Sequence, residues 1–72
     1  MRTYFLYVHD DRYSAPTLDT VIVRDDARAI EIANLRLESS PHYRAVEVWE
    51  EDRVVFRRER SASDPPANGR DA

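Results

Sequence analysis

Residues 25–39, DDARAIEIANLRLES, form the only stretch of the chain whose apolar residues recur at helical spacing, and strand-favouring runs lie on both sides of it. A chain built this way has a single helix with which to cover a sheet. The start of that helix is marked by Asp25, whose carboxylate can accept from the unpaired amides of the first turn. Asp26 adds negative charge at the positive end of the helix dipole. Ala27, Arg28, Ala29, Glu31, Leu35, Arg36 and Leu37 favour helix, and Ser39, Ser40 and Pro41 close it. At roughly 100° per residue, Ala29, Ile30, Ala33 and Leu37 share one face, with Ala27 at its margin. The two alanines predict a close seat on a sheet. Ile32 and Leu35 fall off that face, beside Arg28, and call either for a wider buried stripe or for a second covered surface.

The rest of the chain reads as strands. Residues 3–9, TYFLYVH, place Tyr4, Leu6 and Val8 on one side and Thr3, Phe5, Tyr7 and His9 on the other, so both sides are largely apolar. Residues 10–16, DDRYSAP, form a loop. Residues 17–24, TLDTVIVR, form a second strand that pairs antiparallel with the first and leads into the helix. Residues 42–50, HYRAVEVWE, alternate, with Arg44, Val46, Val48 and Glu50 opposite in sense to Tyr43, Ala45, Glu47 and Trp49. Glu51 and Asp52 make a turn, and residues 53–58, RVVFRR, return antiparallel. Setting Glu50 opposite Arg53 places Trp49 against Val54, Val48 against Val55 and Glu47 against Phe56. The predicted fold is α+β: a four-stranded, mostly antiparallel sheet with one helix on one face, in the order β-β-α-β-β.

With 72 residues, the chain holds one domain, expected over residues 1–60. Residues 61–72, SASDPPANGRDA, are small, polar and proline-rich, and are expected to form a disordered tail. A domain of about sixty residues buries only about 60% of its unfolded surface, so its stability depends on good packing or on association. There is no cysteine, so neither a disulfide nor a thiolate metal site is available. The net charge of −3, from 14 acidic and 11 basic residues, gives no overall attraction to nucleic acid or anionic membrane. No apolar run approaches the ~20 residues that cross a bilayer, and the aromatic N-terminus lacks the pattern of a signal peptide. The expectation is a cytoplasmic protein with no membrane partner.

No motif specifies a reaction. His9, Asp10 and Asp11, with His42, are residue types that hold divalent ions, but their spacing matches no such site, and aspartates at a strand end make turns. Ser39 and Ser40 near His42 lack an acidic orienter and a glycine-bearing elbow, so they read as a helix end. Arg53, Arg57, Arg58 and Arg60, near Trp49, Phe56 and Tyr43, are the types that hold single-stranded nucleic acid by phosphate contact and stacking. Acidic residues interleave with them, which favours a solvated hairpin with cross-strand ion pairs. The chain is therefore read as a non-enzyme without cofactor.

The first strand YFLYVHDD, the helix opening RDDARAIEIA and the hairpin AVEVWEEDRVVF resemble a group of small alphaproteobacterial proteins of unknown function. The resemblance covers roughly residues 1–58 and implies an aromatic first strand, an Ala- and Arg-rich helix and a final hairpin, with no activity attached. The N-terminal part, strands running into an acid-started helix, is also similar to HicB-type antitoxins, which implies a regulator.

One helix covers one face, and the other face would then carry aromatic groups. Phe5, Tyr7, Trp49 and Phe56 are the candidates, with Ile32 and Leu35 on the helix, for a protein-interaction surface. The expected partner is a second copy of the chain, or else another protein, in a regulatory role. The alternative is a nucleic-acid-binding or antitoxin-like regulator that uses Arg53, Arg57 and Arg58.

Overall fold

The computed structural model describes residues 1–60; the expected tail, residues 61–72, lies outside the described residues. Strand β1 (Arg2–Asp10) pairs antiparallel with β2 (Thr17–Val23). Helix α1 (Asp26–Glu38) then crosses to the far side of β1, where β3 (Tyr43–Glu50) pairs antiparallel with β1, and β4 (Arg53–Glu59) completes the sheet in the order β2-β1-β3-β4. The sheet is antiparallel throughout, and β1, apolar on both sides, takes an inner position.

The helix forms as its ends dictate. The Asp25 carboxylate accepts from the Arg28 amide at 2.9 Å. At the other end, the Ser39 amide and hydroxyl both donate to the Arg36 carbonyl, at 3.1 and 2.7 Å. The Arg60 guanidinium donates to the carbonyls of Leu37 and Pro41, at 2.8 and 3.2 Å, so an arginine beyond β4 satisfies groups that a helix end leaves open. Ala29, Ala33 and Leu37 are fully buried against Tyr4, Leu6, Val8, Val46 and Val48. The alanines let the helix axis come close, and it seats chiefly over β3. Ile32, expected off this face, also packs against the core, whereas Ile30 is only half-buried.

Two irregularities change the expected register. The hairpin begins as predicted, with Glu50 opposite Arg53 and Trp49 opposite Val54. Val55 is then an extra residue, and Val48 faces Phe56, Glu47 faces Arg57 and Val46 faces Arg58. Phe56, expected on the open face, is thereby turned to the helix side, where it packs against the core. A second shift, between His9 and Asp10, sets Asp10 opposite Tyr43 and leaves Arg44 extra, which brings Tyr43 against the core as well. In both places a one-residue offset carries a ring from the open side to the covered side. The Glu51–Asp52 turn is made without glycine, and Glu51 takes a positive φ of 55°.

Charged groups close both ends of the core. At the helix N-terminus, Arg2 donates to Glu50 through two bonds of 2.8 and 2.6 Å, and Arg53 donates to the same carboxylate at 2.7 Å. The buried Tyr4 hydroxyl donates to Asp26 at 2.6 Å. At the other end Asp10, only 4% exposed, takes two bonds from the Arg12 side chain, at 3.0 and 2.7 Å, and one from the Arg12 amide at 2.8 Å. Arg12 holds the Asp10 carboxyl at about 2, against an ordinary 3.8. Arg2, followed by Arg53, holds Glu50 at about 2, against 4.5.

Leu37→Ala should cost about 2–5 kcal/mol of unfolding free energy by urea titration, because the site is sealed and cannot collapse. The depressed carboxyls set the sign of the acid response. Their stabilisation is complete above the unfolded values, near pH 4.5, and is lost as pH falls toward 2. The melting temperature should therefore be flat above pH 5 and fall steadily from pH 4.5 to 2. Glu50→Gln and Asp10→Asn should each flatten that fall.

Candidate interaction surface

The side of the sheet away from α1 is built by alternation. Register aligns Phe5 with Thr20 and Trp49, Tyr7 with Leu18 and Glu47, and Thr3 with Ile22. Val54 continues the row beyond Trp49 on β4. The result is a contiguous set of Ile22, Phe5, Leu18, Tyr7, Trp49 and Val54. The rings of Tyr7 and Trp49 meet edge to face, with centroids 6.5 Å apart and planes at 81°. Phe5, Tyr7 and Trp49 are half-buried by one another and by their neighbours. The most exposed members lie on β2: Ile22 is 62% and Leu18 53% exposed.

A carboxylate lies within this apolar face. Glu47 accepts from the Trp49 indole N–H at 2.9 Å, meets His9 Nε2 at 3.1 Å and has Arg57 Nε at 3.5 Å. The indole bond, followed by His9, holds the Glu47 carboxyl below its ordinary value, so Glu47 is a carboxylate that orients Trp49. A shallow depression runs along this row, lined by Tyr7, His9, Pro16, Glu47, Trp49 and Glu51.

The structure gathers Phe5, Tyr7 and Trp49 on one surface as expected, and places the other three candidates elsewhere. Phe56 is on the covered side. Ile32 contributes to the core from the flank of α1 that faces β2, the flank from which Arg36 pairs with Asp19. Leu35 lies further round toward solvent and is 61% exposed. Sequence reasoning missed Leu18 and Ile22, although the two-residue spacing of Leu18, Thr20 and Ile22 was available as a signal.

The three arginines of β4 do not share a surface. Arg53 pairs with Glu50 and Asp26 beside the helix start, at 2.7 and 3.4 Å. Arg58 reaches Asn34 and Glu38 on the helix, at 2.8 and 3.3 Å. Arg57 faces the opposite way, toward Glu47 and Glu59, each at 3.5 Å. As adjacent residues of one strand, Arg57 and Arg58 emerge on the two sides of the sheet, each beside carboxylates, which weakens their attraction to a phosphate chain.

The serines and histidines near the helix end form turn contacts. The Ser40 hydroxyl accepts from the His42 amide at 3.2 Å, and His42 Nδ1 lies 3.3 Å from Asp11. Among the described residues, no three His, Cys, Asp or Glu side chains are grouped so as to hold a metal ion, and no helix is long and apolar enough to cross a membrane. Compared with models of known families, with curated proteins and with solved structures, the chain matches none.

In dilute protein, Ile22→Thr should change unfolding free energy by no more than about 0.5 kcal/mol, as for an exposed surface position. Val48→Ala, on the covered side under the helix, should cost about 2 kcal/mol or more. Urea titration of the two variants reads the difference between the open and the covered side.

Proposed function

We propose that this chain is a small, non-enzymatic protein-interaction module that associates with a second copy of itself and acts as a regulatory piece rather than a catalyst. One observation carries the reading. Among the described residues a single helix covers one side of the sheet, and the other side carries a row of apolar residues, interrupted by Thr3, Thr20 and Glu47, whose most exposed members, Leu18 and Ile22, lie on the edge strand β2. A row of that kind on a domain of this size is the usual mark of a contact surface. Two further features support it. Glu47 fixes the orientation of Trp49, so the row has a defined shape before any partner arrives. The chain is also small enough that association would add materially to its stability. The nucleic-acid alternative is not carried forward, because Arg53, Arg57 and Arg58 are divided between two sides and paired with acidic groups.

Sedimentation velocity across a wide concentration range tests the reading. The mass should rise from 8.4 kDa toward twice that value as concentration increases. Ile22→Lys, which sets a charge on the most exposed apolar position of the open side, should weaken the dimer at least tenfold while leaving the far-ultraviolet circular dichroism unchanged. A mass fixed at 8.4 kDa at millimolar concentration would remove the proposal.

A further inference from the structure

The two edges of the sheet differ in kind. The β4 edge carries Arg53, Arg57, Arg58 and Glu59 and is kinked by the extra residue at Val55. Charge and a bulge are the usual means of keeping a free edge from pairing. The β2 edge has no bulge and little charge. Its sequence TLDTVIV is regular over seven residues and contains no proline, lysine or arginine. Its one charged residue, Asp19, is already paired with Arg36 of α1. An unguarded, apolar, regular edge is a template for another strand.

Apolar residues that the fold leaves exposed flank this edge on both sides of the sheet. On the open side they are Leu18 and Ile22, 53% and 62% exposed. On the helix side, α1 sits over β3 and leaves a shelf above β2, where Val21 and Val23 are only partly covered. Ile32 borders that shelf, and Leu35, 61% exposed, stands beyond it on the same flank. Both groups of unsatisfied apolar surface thus border one strand.

We propose that two copies join along β2, the strands antiparallel about a two-fold axis that stands perpendicular to the sheet and passes beside Thr20. The inference rests on the self-association reading above and places its seam on the edge strand that bears Leu18 and Ile22, the most exposed members of the open side, leaving Phe5, Tyr7, Trp49 and Val54 on the joined sheet's face. Such an axis keeps the two helices on the same side, so opposed residues must face the same way and the centre must fall on a residue. Centred on Asp19, the register would set two carboxylates opposite each other. Centred on Val21, it would set Leu18 against the second copy's Arg24. Centred on Thr20, all seven residues pair. Thr20 meets its own copy, Leu18 meets the second copy's Ile22 twice over, and Asp19 meets the second copy's Val21 while keeping Arg36. Among the described residues, the joined sheet has eight strands, with the two guarded β4 strands at its outer edges. The open-side rows become one surface with Leu18 and Ile22 at its middle.

The chain has no cysteine, so single thiols report the register cleanly. Opposed residues on antiparallel strands have Cα atoms about 4.5–5.5 Å apart, inside the range of about 4.4–6.8 Å that a disulfide spans. Under mild oxidation, Thr20→Cys should form a covalent dimer more than tenfold faster than Val54→Cys, which lies by the other edge. Leu18→Cys and Ile22→Cys should cross-link when mixed, and neither should cross-link alone, because each is four residues out of register with its own copy. Should Thr20→Cys cross-link no faster than Val54→Cys while the unmodified protein sediments as a dimer, the β2 seam is wrong and self-association stands. If the unmodified protein sediments as a monomer, both fail.

Discussion

The close seat of α1 on β1 and β3 is the contact on which everything else in this domain depends. Ala29 and Ala33 give the helix little bulk between its backbone and the strands, and Leu37 completes the buried cluster with Tyr4, Leu6, Val8, Val46 and Val48. This seals one side of the sheet with few residues. It also fixes what the helix does not reach: the shelf above β2 and the whole opposite side. The apolar surface left open is therefore a consequence of how economically the core is closed.

The ends of the core are held by charge rather than by apolar bulk. Glu50 gathers Arg2 and Arg53, Asp26 takes the Tyr4 hydroxyl, Asp10 takes Arg12, and Arg60 satisfies the carbonyls at the helix C-terminus. Most of these groups are partly exposed, and each pair by itself stabilises modestly. Their larger effect is geometric. They tie β1, β3, β4 and both ends of α1 into one frame, so the open side keeps its shape without a lid. Residues that could have formed a basic patch are used in that frame, which is why the arginine-rich hairpin does not present one.

Much of this was legible in the sequence. Asp25 and Pro41 delimited the helix, and the spacing of Ala29, Ala33 and Leu37 identified its covered face. The alternation in residues 43–50 and the Glu50–Arg53 turn pairing gave the hairpin. The bulges were not legible. RVVFRR pairs equally well in either register by local preference, and only the space under the helix decides that Phe56, with Val48, belongs inside. The same holds for Tyr43, which the offset at Arg44 brings to the core. Glu51 shows the limit of turn rules: the chain makes a tight turn with a residue that pays a conformational penalty for its positive φ, because the pairing on either side requires it. Leu18 and Ile22 were overlooked for another reason. Their two-residue spacing places them on one side of β2, but only the pairing of β2 with β1 makes that the side away from α1.

If copies pair along β2, its outer edge takes a partner strand while the bulged, charged edge of β4 does not. Amide hydrogen exchange, read residue by residue at low and high protein concentration, addresses this directly. The outward-facing amides of residues 17–23 should slow markedly as concentration rises, while those of residues 53–59 remain unchanged. Equal, concentration-independent exchange along both edges would contradict the account.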